Sequence, residues 1–252
     1  DPPYNIKKAE WDNFESQQYY VEWSLQWIEQ ASRILKPTGS LYVCGFSEIL
    51  ADIKHPALHF FEGCRWLIWH YKNKANLSND WGRSHESILH FRKTKQFKLQ
   101  IENIRIPYGN HTVKYPERSQ AETSQYGNNG KNDAIVWRPH PKGAKPRDVI
   151  EIPTTCNGMN EKTKHPTQKP EELVRKFVLS SSKRGDIVVD PFSGSGTTLV
   201  VSEQLGRKWI GCEINLDYIK WAIGRIQNAR YMTDSEWFEF DRRNEERRKK
   251  IR

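Results

Sequence analysis

Between Gln17 and Lys36 the apolar residues recur at helical spacing. Val21, Leu25, Ile28 and Leu35 fall on one stripe, widened by Trp27, Ala31 and Ile34. That spacing predicts an amphipathic helix, and Pro37-Thr38-Gly39 stops it. The run Ser40–Phe46 (SLYVCGF) predicts a buried strand. Arg65–Tyr71 and Glu86–Arg92, rich in aromatic and β-branched residues, predict two more. From Lys93 to Glu151 the periodicity fades. Gly, Asn, Pro, Lys and Arg dominate, as in YGNNGKND and RPHPKGAKPRD, the pattern of a loop-rich insertion rather than a second compact domain.

Regular spacing returns at Pro170, a residue suited to a helix's first turn. Leu173, Val174, Phe177 and Val178 give that helix an apolar face, and Lys183-Arg184-Gly185 ends it. A short apolar strand at Ile187–Val189, a helix at about Thr197–Leu205, a strand at Trp209–Glu213 and a helix at about Leu216–Arg230 follow. In the last of these Ile219, Ala222, Ile223 and Ile226 are expected inward. This alternation predicts an α/β fold with a mostly parallel, doubly wound sheet. The main domain is then 1–92 with 152–230, the insertion 93–151, and a basic tail 231–252. Its last run, Arg242–Arg252, reads as a solvated or frayed helix end.

Charge adds a partner class. Forty Lys and Arg against 31 Asp and Glu leave a net charge of +9, compatible with a polyanion. Eight of the cations lie between Arg105 and Asp148 (Arg105, Lys114, Arg118, Lys131, Arg138, Lys142, Lys145, Arg147), against four acids, with Tyr108, Tyr115, Tyr126 and Trp137 interleaved. That mixture suits phosphate contacts combined with stacking on bases. The four cysteines, Cys44, Cys64, Cys156 and Cys212, are far apart and form no C-x-x-C pair. Free thiols in a reducing, cytoplasmic setting are expected, without a zinc site. No apolar run approaches the roughly 20 residues of a membrane helix, and no signal peptide is visible, so neither a membrane nor a metal partner is expected.

Two stretches carry candidate chemistry. The first is Asp190-Pro191-Phe192-Ser193-Gly194-Ser195-Gly196-Thr197-Thr198, between a strand and a helix. Gly194 and Gly196 allow a tight turn and close approach of a ligand, and the helix behind presents unpaired N–H groups. Glu213 ends the next strand, where a ribose-binding acid sits in nucleotide-type folds. No Gly-Lys-Ser/Thr follows, so this is no P-loop, and Leu199 stands where a dinucleotide fingerprint needs its third glycine. A neutral, hydroxyl-rich loop with Asp190 at its mouth suits a zwitterionic ligand carrying an adenosine, such as S-adenosylmethionine.

The second stretch is Asp1-Pro2-Pro3-Tyr4. Two prolines hold the chain extended and remove two donors, so the remaining carbonyls only accept. An amino group on a base offers two N–H donors. Asp1 accepts one, the Pro2 carbonyl the other, and Tyr4 offers a face for stacking a flipped base. Flipping costs a few kcal/mol and stacking returns about 1–3 kcal/mol, so the two are comparable.

DPPY, DPFSGSGTT and His165-Pro-Thr-Gln-Lys-Pro170, in that order, resemble the beta group of DNA amino-methyltransferases. The resemblance covers nearly all the chain outside 93–151 and the tail. It implies a seven-stranded Rossmann-like methyltransferase fold, S-adenosylmethionine as methyl donor, double-stranded DNA as partner and a homodimer as family expectation. In its terms the main domain is a permuted catalytic domain and 93–151 the target-recognition insertion. By analogy, His165, Thr167 and Lys169 lie beside the methionine part of the cofactor. Ser84-His85-Glu86 resembles a further segment at the active-site wall. The family places an apolar strand before DPPY, so a segment upstream of Asp1 is expected. Asp1 favours N6 of adenine, with N4 of cytosine as the alternative, since N4 enzymes more often carry Ser there. No cysteine stands in a Pro-Cys context, which argues against a C5-cytosine enzyme. RNA methylation and a non-catalytic DNA-binding module are the remaining rivals.

Overall fold

The computed structural model describes residues 1–71, 79, 81–119 and 136–250. The chain divides into two compact units, Asp1–Gln100 with Arg147–Asp234, and Ile101–Pro146 with Ser235–Arg252.

In the first unit, Ser16 caps helix α1 (Gln17–Ile34) by accepting the Tyr19 N–H, as a serine at that position favours. Its buried line is Tyr20, Ser24, Ile28 and Ser32. The stripe is thus centred about one residue from the expected one, and Val21, Leu25, Trp27 and Leu35 pack at its edges. Small Ser24 and Ser32 let the helix approach its neighbours closely. Strand β1 (Ser40–Gly45) leads into α2 (Ser47–Ala57) and then β2 (Gly63–His70). Strand β3 (His85–Arg92) is antiparallel to both β1 and β2 and lies between them, and β6 (Val149–Glu151) adds in parallel beside β2. Consecutive burial from Ser87 to Phe91 follows from that central place.

Carboxy-terminal to this sheet, α4 (Glu171–Ser181) starts directly after Pro170. Strand β7 (Ile187–Asp190), α5 (Thr197–Gln204) and β8 (Lys208–Gly211) form a parallel βαβ unit, followed by α6 (Leu216–Gln227), capped by Asn215. The fold is α/β and Rossmann-like. Its larger sheet is mixed, whereas the alternation predicted mostly parallel pairing. The reason is that β3 turns back between β1 and β2. In α6 only Ala222 is fully buried, and Ile223, expected inward, is half-exposed.

The second unit contains α3 (Asn110–Lys114), the short pair β4 (Arg118–Ser119) and β5 (Val136–Trp137), and α7 (Asp234–Lys250). A bridge between Ile106 and Ala144 closes its base. Residues 93–100 and 147–151, assigned to the insertion from sequence, fall in the first unit: Lys93 and Gln100 donate to the Gly39 and Ser180 carbonyls, and β6 completes the larger sheet. The basic tail is a regular helix through Lys250.

Candidate active site

The loop after Asp1-Pro2-Pro3-Tyr4 is shaped by a buried acid. Asp12 accepts the N–H groups of Tyr4 (2.6 Å), Asn5 (2.7 Å), Ile6 (3.3 Å) and Lys8 (3.0 Å). Four donors onto one carboxylate hold Asn5 and Lys7 at φ of 58° and 59°, a conformation side chains otherwise avoid. The Tyr20 hydroxyl donates to the Pro3 carbonyl at 2.6 Å. No donor among the described residues meets the buried Pro2 carbonyl.

Four polar side chains converge at the start of this loop. The Tyr4 hydroxyl lies 2.8 Å from Asp1 Oδ1 and 3.1 Å from Glu86 Oε2. Lys169 Nζ spans both Asp1 oxygens, at 2.8 and 3.0 Å, and lies 3.3 Å from Glu86 Oε2. The lysine side chain is 7% exposed and that of Asp1 27%. A carboxylate offers about four acceptor positions. Tyr4 and Lys169 take three on Asp1, which leaves room on Oδ2 for one more donor. Tyr4 is buried, with Phe46 edge-on at 5.3 Å and Lys169 Nζ 5.0 Å from its ring centre. Its phenol is pushed well above the usual tyrosine range by burial and by the Glu86 charge, so it stays a neutral donor. The open stacking face expected of Tyr4 is thus occupied by Lys169 in this arrangement.

The glycine turn is built from backbone. Gly194 and Gly196 have φ of +50° and +79°. A side chain at Gly196 would meet the Ala222 Cβ at 2.6 Å, and one at Gly194 would meet His165 Nε2 at 3.0 Å. Glu213 Oε2 accepts the Gly194 N–H at 2.9 Å, while its Oε1 accepts those of Ile214 and Asn215. Asp190 accepts the Phe192 N–H at 3.0 Å, and Phe192 packs between Trp23 and Trp27. The hydroxyls expected to face a ligand are partly spent inside the fold. Ser193 Oγ donates to the Cys212 carbonyl, and Arg225 binds Ser195 and Thr197 while pairing with Glu171. Their burial requires such partners. Pro191 is exposed, and the Thr198 carbonyl receives the Ser202 hydroxyl.

His165–Pro170 joins the two loops. His165 is buried between Trp11, stacked at 6.2 Å, and Tyr218, edge-on at 4.4 Å. Burial, then the charges of Lys169, Lys162 and Arg225, push it down to about 4, so the imidazole is neutral. Its Nδ1 accepts the Thr167 N–H at 3.3 Å, which leaves Nε2 as the N–H on the side of Gly194. The Thr197 hydroxyl donates to the Lys169 carbonyl at 3.3 Å. Lys169, expected beside the methionine part of the cofactor, carries its ammonium to Asp1. A cleft of about 980 Å³ opens between Lys162–Lys164 and α6, but neither Asp1 nor Gly194 lines it.

Among the eight cations between Arg105 and Asp148, Arg105 has a 9% exposed side chain, paired with Glu102 and bonded to the Gly143 carbonyl. It holds its own unit together. Arg138 is exposed but pairs with Glu117. Lys114, Lys142, Lys145 and Arg147 are exposed. Arg118 lies in β4, while Lys131 and Tyr126 lie outside the described residues.

A Rossmann-like unit that sets a neutral glycine turn beside a carboxylate corner belongs to the methyltransferase class. The model of the DNA methylase family (N6_N4_Mtase) matches residues 1–224, and the chain belongs to this family. Type II methyltransferase M1.MboII of Moraxella bovis is 31% identical over 234 residues, covering 88% of this chain and 85% of that protein. DNA adenine methyltransferase YhdJ of Escherichia coli (strain K12) is 32% identical over 244 residues, covering 94% and 77%. Among solved structures, PvuII DNA methyltransferase (cytosine-N4-specific) superposes with a TM-score of 0.61 at 20% identity, covering 86% of this chain and 74% of that one. The M1.HpyAVI complex with S-adenosylmethionine gives 0.53 at 25% identity, covering 80% and 81%. The protein is an S-adenosylmethionine-dependent DNA methyltransferase. The residues present fit that cofactor, since Glu213 and the neutral His165 flank a turn that any side chain at Gly194 would crowd.

Proposed function

We propose that this protein methylates N6 of an adenine flipped out of duplex DNA, within a restriction-modification or epigenetic system. The observation that carries the reading is the pair of acceptors left open at the corner, one position on Asp1 and the carbonyl of Pro2. Both accept N–H from the exocyclic amino group and turn its lone pair outward. S-adenosylmethionine supplies the methyl group when bound. The turn Asp190–Thr198 would hold it, with Asp190 serving its amino-acid part, Glu213 its ribose and His165 and Thr167 its methionine part. Bound there, it would offer an electrophilic methyl group to the amino nitrogen, which Asp1 and the Pro2 carbonyl would orient, with Asp1 taking up the proton that the nitrogen loses. Catalysis here is positioning in a water-poor corner.

Adenine is favoured by Asp1 itself and by the relative YhdJ, named as an adenine enzyme. Lys114, Lys142, Lys145, Arg138 and Arg147 are the cations assigned to DNA phosphates. Incubation of duplex DNA with the protein and methyl-labelled cofactor, then mass spectrometry of the nucleosides, is expected to show N6-methyladenine. N4-methylcytosine would overturn the adenine assignment, and no labelled nucleoside at all would overturn the catalytic reading.

A further inference from the structure

Asp1 alone does not account for the corner. With Lys169 on both of its oxygens, its charge would be neutralised and its hold on an amino N–H weakened. Glu86 changes that balance. From β3, opposite Trp69 in the ladder, it brings Oε2 to 3.3 Å from Lys169 Nζ and 3.1 Å from the Tyr4 hydroxyl. Two carboxylates then share one ammonium and one phenol proton, and the cluster keeps a formal charge of −1. During transfer, positive charge moves onto the amino nitrogen beside Asp1. A fixed negative charge at that place favours the shift, most strongly where water is excluded.

We infer that Glu86 is a positioning residue for methyl transfer, holding Lys169 and Tyr4 so that Asp1 keeps an oriented, negatively charged acceptor. The inference rests on the assignment of Asp1 above. Glu86→Gln keeps the size and a hydrogen-bonding oxygen but removes the charge. It is expected to lower the single-turnover rate by about 10²-fold. Calorimetric binding of S-adenosylhomocysteine, the KM for DNA, flipping of a fluorescent base analogue and the Tm all stay near wild type. Glu86→Asp restores most of the rate. Because Glu86 acts through Lys169, adding Lys169→Met to Glu86→Gln costs less than the two single losses combined.

A rate for Glu86→Gln within twofold of wild type overturns the role. So does a loss that tracks a fall in Tm or in homocysteine-product binding, because that marks a structural role. Additive losses in the double variant also overturn it. A wild-type chain that transfers no methyl group overturns both this role and the assignment of Asp1.

Discussion

The corner at Asp1 and the turn at Gly194 meet through His165–Lys169, yet they are built from different materials. The turn is local. One contiguous strand-turn-helix supplies it, its conformation depends on two glycines with positive φ, and its main polar partner, Glu213, lies two residues past the end of the next strand. The corner is assembled from distance. Asp1 and Tyr4 come from the amino end, Glu86 from β3 and Lys169 from the segment before α4. A backbone site fails when its shape fails. A side-chain site fails when one charge is removed, with the fold intact.

That contrast sets the expected effects. The largest falls on the corner: Asp1→Asn is expected to cut single-turnover transfer by about 10³-fold while cofactor affinity stays within a few-fold. Loss of cofactor binding in proportion would erase the distinction between the two regions. Next comes the turn. Gly196→Ala places a Cβ 2.6 Å from that of Ala222 at φ +79°, and is expected to destabilise the fold by about 3 kcal/mol, read as a lower Tm. Gly194→Ala meets only the tip of His165, so its cost in stability is expected near 1 kcal/mol, with weaker cofactor binding as the main effect.

Two buried histidines, His165 in the segment that joins the regions and His90 in β3, have their own signature in acid. His165 and His90 are each held down to about 4, by burial first and by nearby cations second. Their neutral forms stabilise the fold fully above the unfolded value of 6.5, and that contribution is lost as pH falls toward 4. Each contributes about 3 kcal/mol by linkage. Urea midpoints should therefore drop steeply between pH 6.5 and 4, and His90→Phe should flatten part of the slope. The smallest effect belongs to the second unit. Lys142→Gln and Lys145→Gln should each weaken DNA binding a few-fold and reduce the salt slope by about 1, leaving single-turnover transfer at saturating DNA unchanged.

The same contrast explains what could be read from the chain alone. The turn was legible because its residues are neighbours and each has a local reason, from the apolar strand at Ile187–Val189 to the glycines and Glu213. The amino-terminal motif was legible as a set of acceptors. The role of Asp12 was not, because an aspartate eight residues after Tyr4 carries no periodic mark; only the folded loop shows it collecting four N–H groups. The contact of Lys169 with Asp1 and Glu86 was not legible, since nothing local says that these carboxylates lie within reach. Two carboxylates brought together and partly shielded from water call for a cation, and that requirement is the signal for the contact. The mixed sheet escaped the alternation argument because the return of β3 between β1 and β2 is a matter of topology, which apolar spacing does not encode. Arg105 was counted among DNA contacts by its charge alone, although its side chain is spent on Glu102 and Gly143.

The central claim is geometric: the open acceptors on Asp1 and Pro2 receive the amino group of the base. A crystal structure with duplex DNA and a non-reactive cofactor analogue tests it most directly. The account predicts an extrahelical adenine whose N6 lies about 3 Å from both an Asp1 carboxylate oxygen and the Pro2 carbonyl. An extrahelical base whose amino nitrogen touches neither, with Asp1 still closed on Lys169, would contradict it.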